Sequence, residues 1–201
     1  MYCILVTGIP ASGKSTLAAF LGEHLGLPVI SKDRIKELMY DRIGFRSREE
    51  KVKLGISSMD IMYYFAEQLM KCRQPLILEN NFENLSKLGL DAILERYAYK
   101  AITVTLTGDY GKIYQRFLER NNSPDRHRGH VVNDCYPEEK RSVCQVPVSY
   151  ENFVAGILDR GMDKFTANGP RIILDTTDFS AVDKDALLRK IFAYREGILH
   201  G

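Results

Sequence analysis

The 201-residue sequence contains no tryptophan, only four cysteines and no long apolar run. A membrane-spanning helix needs about 20 consecutive apolar residues, so no membrane association is predicted. The cysteines, Cys3, Cys72, Cys135 and Cys144, are scattered, which predicts reduced thiols and no disulfide framework. The formal net charge is only +2, so we expect no global attraction to nucleic acid, although a local basic groove is compatible with this charge.

The start of the sequence also lacks the pattern of a signal peptide, since a β-branched apolar run begins at residue 2. We therefore expect a cytoplasmic protein. The composition, 45% hydrophobic and 27% charged, is ordinary for a globular domain, and a chain of this length can bury a proper core. The sequence predicts a single domain over residues 1–201.

Short apolar runs alternate with longer helical patterns along the sequence. Strands are predicted at Tyr2–Thr7, Val29–Ile30, Leu76–Glu79, Ala101–Leu106 and Arg171–Leu174. Helices are predicted at 14–25, 33–40, 48–73, 85–98, 109–121, 149–161 and 180–196. This alternation predicts an α/β fold of three layers, a five-stranded, mostly parallel sheet with helices on both faces. Ligands bind such sheets at the carboxyl ends of the strands.

The most specific motif lies between the first predicted strand and the first predicted helix. Residues 8–16 read G-I-P-A-S-G-K-S-T, which fits the phosphate-binding pattern G-x-x-x-x-G-K-[ST]. Gly8 and Gly13 allow backbone N–H groups to curl around phosphate oxygens, and the following helix adds its N-terminal N–H groups. We expect Lys14 to reach the β- and γ-phosphates and the Ser15 hydroxyl to ligate Mg²⁺. The sequence therefore predicts ATP with Mg²⁺, bound by Gly8, Ala11, Ser12, Gly13, Lys14, Ser15 and Thr16.

Carboxylates follow the second and third predicted strands. Asp33 can accept a proton from an attacking hydroxyl and is the predicted general base, with a helix N-cap as the alternative interpretation. Glu79 can hold Mg²⁺ or orient the acceptor, and a capped turn is its alternative. Arg34 and Lys36 can fix an anionic acceptor, but solvated helix charges explain them equally well.

Four arginines lie near the predicted fifth helix and just after it. Arg116 and Arg120 share a helix face, and Arg126 and Arg128 follow. Guanidinium groups that close over phosphates stabilise the charge that develops during transfer and exclude water. We predict Arg120 and Arg128 to be catalytic and Arg116 to bind the nucleotide. Thr176, after the fifth strand, is predicted to flank the base, with an ordinary strand-to-turn signal as the alternative.

Residues 121–147 interrupt the alternation of strands and helices with three prolines and a basic cluster at 126–130. Loops of this length are uncommon in compact domains unless they are functional or mobile, so we predict a lid or substrate-binding insertion, with a disordered loop as the alternative. His127, His130, Cys135 and Cys144 could ligate zinc. Their spacing, H-x2-H-x4-C-x8-C, matches none of the paired-cysteine templates.

With these motifs, the sequence resembles the P-loop kinases of the group that includes phage polynucleotide kinase, chloramphenicol phosphotransferase and zeta-toxin kinases, which have an AAA-type ATP-binding domain. The similarity lies in residues 8–16, 31–33 and 118–132, where an R-N pair precedes an R-G pair. The resemblance implies five parallel strands, ATP with Mg²⁺, an aspartate base at Asp33 and lid arginines on the phosphates. Glu79 departs from the commoner aspartate, and residues 133–165 match no recognised substrate-binding pattern.

The predicted function is transfer of the γ-phosphate of ATP to a hydroxyl of a small molecule or of a nucleic-acid 5′ end. The alternative is an ATPase or nucleotide-dependent switch that acts on a protein partner. The sequence has no N-K-x-D motif, which counts against a GTPase, and little room for the extra helical domain of a AAA+ motor. An RNA-end-processing module would need a basic groove, which the near-neutral charge disfavours.

Overall fold

The structure, a computed structural model, describes residues 1–138 and 147–200. Its strands are β1 (Tyr2–Gly8), β2 (Val29–Ser31), β3 (Ile77–Glu79), β4 (Lys100–Thr107) and β5 (Arg171–Asp175). Its helices are α1 (Lys14–Leu25), α2 (Lys32–Arg42), α3 (Arg48–Lys71), α4 (Asn84–Arg96), α5 (Tyr110–Asn122), α6 (Arg128–Val131), α7 (Tyr150–Arg160) and α8 (Lys184–His200). A 3₁₀ turn, Phe179–Ala181, precedes α8.

The five strands form one sheet in the order β2-β3-β1-β4-β5, and every neighbouring pair is parallel. The predicted α/β fold is confirmed, with all strands parallel where the sequence predicted mostly parallel ones. Glu79 is level with Val6 of β1 on one side and with Ser31 of β2 on the other. The residues that follow these three strands therefore emerge together at one edge of the sheet.

The sheet separates two apolar cores because successive β1 side chains point to opposite faces. Cys3 and Leu5 pack in the core that includes α3 and α4, whereas Ile4 and Val6 pack in the core that includes α1 and α8. All four side chains are fully buried. This arrangement confirms the three predicted layers. A smaller cluster joins α5 to α7 through residues such as Phe153.

The predicted helix over 180–196 differs most from the structure. The Asp178 side chain accepts from the backbone N–H of Ser180 at 2.9 Å and starts the 3₁₀ turn. The Asp183 side chain accepts from the N–H of Ala186 at 2.7 Å and starts α8. Two aspartates that each satisfy free N–H groups divide the segment, because capping competes with continuation of the helix.

The described part of the segment 121–147 packs against α2. Its only regular element among the described residues is α6, a single helical turn. His127 Nε2 lies 3.0 Å from Asp41 Oδ1, and the Tyr136 hydroxyl donates to the same oxygen at 2.9 Å. Tyr136 also pairs with Phe45 in an antiparallel bridge. Residues 139–146 of the predicted insertion, Cys144 among them, lie outside the described residues.

One further property follows from the helices of the described ranges. None of them is long and apolar enough to cross a membrane.

Candidate active site

The loop between β1 and α1 has the backbone that the motif predicts. Gly8 and Gly13 have positive φ values, 130° and 94°, which favour glycine. A Cβ at Gly8 would overlap the backbone carbonyl of Leu106, and a Cβ at Gly13 would overlap the Phe179 ring. Ala11 is also in the left-handed region, at φ 61°. Such a loop turns successive N–H groups inward, which makes a cradle for phosphate.

We expect Gly13→Ala to lower the free energy of unfolding by about 1–3 kcal/mol, since the added methyl group meets Phe179 and the backbone conformation is disfavoured. The matched control is Gly197→Ala on α8, where a Cβ would meet nothing within 4 Å. This control is expected to stabilise the helix by about 0.5–1 kcal/mol. Urea unfolding measures both changes. Equal effects of the two substitutions would contradict the described loop geometry.

Lys14, in the first turn of α1, is buried beneath this loop. Its ammonium group donates to the Ile9 carbonyl oxygen at 2.8 Å. Burial lowers the pKa of Lys14 to about 8, although the carboxylates of Glu79 and Asp33 oppose the shift. A buried ammonium that relies on one loop carbonyl is well suited to exchange that contact for phosphate oxygens.

Nucleotide affinity is expected to fall as the pH rises through about 8, because the ligand-free protein releases the Lys14 proton there. A bound triphosphate favours the charged ammonium and raises its pKa, so binding at pH values above about 8 should take up a proton. Calorimetry in two buffers of different ionisation enthalpy measures this uptake. Lys14→Met should remove the part of the proton uptake that comes from Lys14. Unchanged proton uptake in the variant would contradict the assignment of this pKa to Lys14.

Glu79 ends β3 and receives two hydroxyl groups. Ser31 donates to Glu79 Oε2 at 2.5 Å, and Ser15 donates to Glu79 Oε1 at 3.4 Å. Burial raises the pKa of Glu79, while the ammonium of Lys14 acts in the opposite direction. A hydroxyl and a carboxylate side by side are oxygen ligands of the kind that Mg²⁺ prefers. Ser15 and Glu79 therefore fit the predicted metal position.

Asp33 lies in the first turn of α2, but it is not the N-cap. That position belongs to Ser31, whose hydroxyl oxygen accepts from the N–H of Arg34 at 3.4 Å. Burial alone would raise the pKa of Asp33, but the charges of His130, Lys36, Lys32 and Lys14 outweigh it and lower the pKa below its ordinary value. The structure thus holds an ionised carboxylate on the cleft wall without using it as a helix cap.

The arginines are arranged differently from the prediction. Arg116 and Arg120 line the cleft, and so does Arg126. Arg128, which the sequence favoured, makes two hydrogen bonds to Glu138, at 2.9 and 2.8 Å, and is not among the residues that line the cleft. Burial and repulsion from Arg120 lower the pKa of Arg126 to about 10. The structure therefore brings Arg126 to the cleft in place of Arg128.

Thr176 is not brought to the cleft surface either. It is fully buried, and its hydroxyl donates to the Thr107 carbonyl oxygen at 3.0 Å. Its own carbonyl oxygen accepts from Arg116 at 2.5 Å. Thr176 therefore positions the Arg116 guanidinium from the protein interior. This geometry does not support the prediction that Thr176 flanks the base.

The cleft has a volume of about 650 Å³ and lies at the carboxyl ends of the strands. It gathers most predicted site residues, namely Ala11, Gly13, Lys14, Ser15, Thr16, Asp33, Glu79, Arg116 and Arg120. Gly8 and Ser12 are buried beneath the loop. Sequence reasoning did not assign Lys32, Asn80, Asn81, Glu83, Phe117, Arg160 and Phe179, which also line the cleft. Asn80 and Asn81 follow Glu79 directly and could have been found, whereas Arg160 ends α7 and no sequence signal marks it.

The histidines of the predicted zinc alternative have other partners. His130 Nε2 lies 3.0 Å from Glu37 Oε1, and His127 pairs with Asp41, so each imidazole faces a carboxylate of α2. Cys135 lies against the Pro137 carbonyl oxygen. Within residues 1–138 and 147–200, no group of three metal-ligating side chains is assembled. The fourth candidate, Cys144, lies outside that part of the chain.

Several buried polar atoms without partners belong to the cleft or to the loop beneath it. Of the seven such side-chain atoms found among the described residues, Arg116 Nε and Arg126 Nε belong to residues that line the cleft, and Ser12 Oγ belongs to the phosphate-binding loop. A buried polar group without a hydrogen bond costs free energy, so such a cluster indicates that a ligand completes the site. Together with the glycine cradle and the Ser15–Glu79 pair, these atoms fit a nucleoside triphosphate and Mg²⁺.

Comparison with known proteins agrees with this geometry. Among solved structures, one described as a candidate kinase from Chloroflexus aurantiacus J-10-fl is 25% identical, with a TM-score of 0.77 over 96% of this chain and 97% of that chain. A gluconokinase from Sinorhizobium meliloti 1021 is 13% identical, with a TM-score of 0.57 over 100% and 97%. A sugar kinase from Janibacter sp. HTCC2649 is 14% identical, with a TM-score of 0.55 over 98% and 95%. The last two share the fold alone.

A search of curated proteins gives no match. A family model described as an AAA domain matches residues 4–142, a span that contains the phosphate-binding loop, Asp33, Glu79 and the cleft arginines of α5 and Arg126. Because this model covers well over half of the sequence, the chain belongs to the AAA domain family and has the fold of a kinase-like P-loop NTPase.

Proposed function

We propose that this protein is a kinase that transfers the γ-phosphate of ATP to a hydroxyl group, with Asp33 as the general base. The observation that carries the proposal is the position of Asp33. Its ionised carboxylate lines the same cleft as the phosphate-binding loop, while Ser31 takes the capping role that would otherwise explain an aspartate there. A carboxylate at this position would accept the proton of an acceptor hydroxyl as that hydroxyl attacks the γ-phosphate.

Each cleft residue has a defined part in this mechanism. Lys14 releases the Ile9 carbonyl and binds β- and γ-phosphate oxygens, where it stabilises the charge that develops during transfer. Asp33 accepts the proton of the acceptor hydroxyl. Ser15 and Glu79 would hold Mg²⁺, which would neutralise phosphate charge when bound. Arg116, Arg120 and Arg126, which line the cleft wall, surround the transferring oxygens and exclude water.

The described part of the segment 121–147 supports its proposed role as a lid within a single domain. His130 contacts Glu37 on α2, the helix that carries Asp33, and it also lines the cleft. Arg126, just before α6, reaches the same cleft. A lid placed there would cover the acceptor and the γ-phosphate together. This placement also supports the resemblance to the polynucleotide kinase group, whose lid arginines act on phosphates.

The proposal predicts a large loss of kcat/KM for one of two neighbouring arginines and almost no change for the other. Arg126→Ala is expected to lower kcat/KM by about 10²–10³-fold, because it removes a cation from the transferring phosphate. Arg128→Ala serves as the matched control and should change kcat/KM by less than about threefold, since its partner is Glu138. Steady-state kinetics with the same acceptor measures both. A larger loss in the Arg128 variant would restore the assignment made from the sequence.

The experiment that tests the proposal is a screen for acceptor-dependent release of ADP. The purified protein with MgATP is offered small alcohols, sugars and 5′-hydroxyl oligonucleotides, and each reaction is compared with one that lacks an acceptor. A kinase releases ADP faster with its acceptor and forms one phosphorylated product for each ADP. ADP release that no hydroxyl compound accelerates, but that a protein partner does, would instead support a nucleotide-dependent switch.

A further inference from the structure

A second cavity adjoins the cleft on the side of α2. Its volume is about 360 Å³, and it shares Lys36, Phe117 and His130 with the cleft. Since Asp33 and Lys36 lie one helical turn apart and both line the cleft, a molecule that presents a hydroxyl to Asp33 can extend past Lys36 into this cavity. The cavity therefore lies where the remainder of an acceptor would be held.

The cavity is cationic. Lys36, Arg48 and Lys51 line it together with three asparagines, Asn121, Asn122 and Asn133. No carboxylate belongs to its wall in the ranges 1–138 and 147–200. A concave surface with several cations and amide groups, and without a carboxylate among these residues, favours an anionic ligand.

The three cations differ in how fully their donors are used. Lys51 donates to the carbonyl oxygens of His130 and Val132 and, at 3.1 Å, to Asn133 Oδ1. All three of its N–H donors are thus engaged, and Lys51 stabilises the end of α6. Arg48 uses one nitrogen to donate to Asn133 Oδ1 at 2.7 Å, which leaves other donors of its fork available.

Lys36 differs from both, because its ammonium group has no hydrogen-bond or ion-pair partner among the described residues and contacts only the face of the Tyr40 ring there. The ammonium nitrogen lies 5.5 Å from the centre of that ring. Burial lowers the pKa of Lys36 to about 8, and Asp33 only partly opposes this shift. A desolvated cation is costly unless a partner of opposite charge is present for part of the protein's working cycle.

Two unpartnered polar atoms lie in the same region. The fully buried Tyr40 hydroxyl has no hydrogen-bond partner among the described residues, and burial, with a smaller contribution from the charge of Asp33, raises its pKa. Arg126 Nε is likewise buried and unpartnered in that part of the chain. Arg126 lines the cleft, so its unpartnered Nε is an observation independent of the lysine argument and also indicates that a polar ligand completes this region.

The excess of positive charge in the cleft also favours a second anionic ligand. Apart from the Arg160–Glu83 ion pair, six lysines and arginines face only two carboxylates, Asp33 and Glu79, among the residues that line it. The six are Lys14, Lys32, Lys36, Arg116, Arg120 and Arg126. ATP with one Mg²⁺ brings about two net negative charges, which neutralises about half of this excess. Positive charge therefore remains for a second anion on the Lys36 side.

We propose that the acceptor is a small alcohol that also carries an anionic group, a phosphate or a carboxylate, which binds Lys36 and Arg48. This inference rests on the proposed kinase function and specifies its substrate class. The acceptor O–H bond breaks and its proton passes to Asp33. The acceptor oxygen forms a bond to the γ-phosphorus as the bond to the β,γ-bridging oxygen breaks, and ADP leaves. The small cavity suits one compact group better than a polynucleotide strand.

The binding test uses inorganic phosphate as the probe and protein saturated with Mg²⁺ and a non-hydrolysable ATP analogue. The analogue fills the donor site, so calorimetry reports a second anion site. Lys36→Gln should weaken phosphate binding by about 10- to 100-fold. Lys53→Gln is the control, because Lys53 lies on the surface of α3 in an exposed pair with Glu49. Removal of a half-buried cation without an ion-pair partner among the described residues should leave the thermal midpoint equal or higher.

The turnover test compares alcohols that share a carbon skeleton and differ in charge, such as glycerol, glycerate and glycerol 3-phosphate, and a hexose with its acid and its phosphate ester. Each is assayed for phosphorylated product. We expect kcat/KM for the anionic members to exceed that of the neutral member by about tenfold or more, and Lys36→Gln to remove this preference. Comparison of each acid with the corresponding phosphate ester shows whether the site prefers a carboxylate or a phosphate.

The outcomes separate this inference from the proposed function. Equal or better transfer to neutral alcohols would contradict the inference that the acceptor is anionic, and so would phosphate binding that Lys36→Gln leaves unchanged. Neither result would contradict the proposed kinase function. Preference for a 5′-hydroxyl oligonucleotide would overturn the small acceptor. Phosphate bound at Lys36 without transfer to any alcohol would count against the kinase itself, while the anion site would remain.

Discussion

Asp33→Asn is expected to lower kcat by about 10²–10⁴-fold, the usual contribution of a general base. Asparagine has nearly the same shape but cannot accept the acceptor proton. The carboxylate does not cap α2, a role held by Ser31, so its loss should not unfold the helix. The KM for ATP should change by less than about threefold, because the role proposed for Asp33 is toward the acceptor hydroxyl and not toward the nucleotide.

Steady-state assays of phosphorylated product at saturating MgATP measure this effect. Asp41→Asn is a suitable control, because Asp41 lies on the same helix but bonds to His127 and Tyr136 outside the cleft. The control should retain most of the activity. Unimpaired transfer by the Asp33 variant would remove Asp33 from its assigned role, whereas equal losses in both variants would indicate a general disturbance of α2.

Lys14→Met is the second change with a large expected effect. Methionine keeps the length and the apolar stem of lysine but loses the charge, so kcat/KM should fall by about 10²–10³-fold. Lys14→Arg is not expected to rescue activity, since a planar guanidinium cannot replace a compact ammonium in a buried position.

Nucleotide binding by calorimetry and turnover with the acceptor together measure the Lys14 effect. Lys100→Met is the control, because Lys100 begins β4 at the opposite edge of the sheet from the cleft. That variant should bind and turn over normally. Retained activity in the Lys14 variant would mean that the loop at residues 8–16 does not hold the transferred phosphate.

The fold could be predicted from the sequence because periodicity and glycine-containing turns act locally. The run Tyr2–Thr7 and the motif that follows it have only one sensible structure, a buried strand that leads into a phosphate-binding loop and a helix. The alternation of elements then requires parallel crossovers. Helix ends were less predictable, since the caps at Asp178 and Asp183 depend on which of several polar residues meets a free N–H group.

The arginines show why the site was only partly predictable. Arg126 and Arg128 are two residues apart and chemically identical, and no local signal distinguishes the one that enters the cleft. The start of α6 at Arg128 and the position of Glu138 separate them. Thr176 likewise has the polarity of a ligand-binding residue, but tertiary packing places it behind Arg116. Such distinctions arise from contacts between residues far apart in the sequence.

The fate of the γ-phosphate tests the central claim most directly. Radiolabelled ATP is incubated with the protein, Mg²⁺ and an acceptor from the turnover screen, and the label is followed into phosphorylated acceptor and into inorganic phosphate. The proposed mechanism predicts that label enters the acceptor in step with ADP formation and that Asp33→Asn greatly slows this transfer. Label found in inorganic phosphate alone, at the same rate with and without every acceptor, would contradict it.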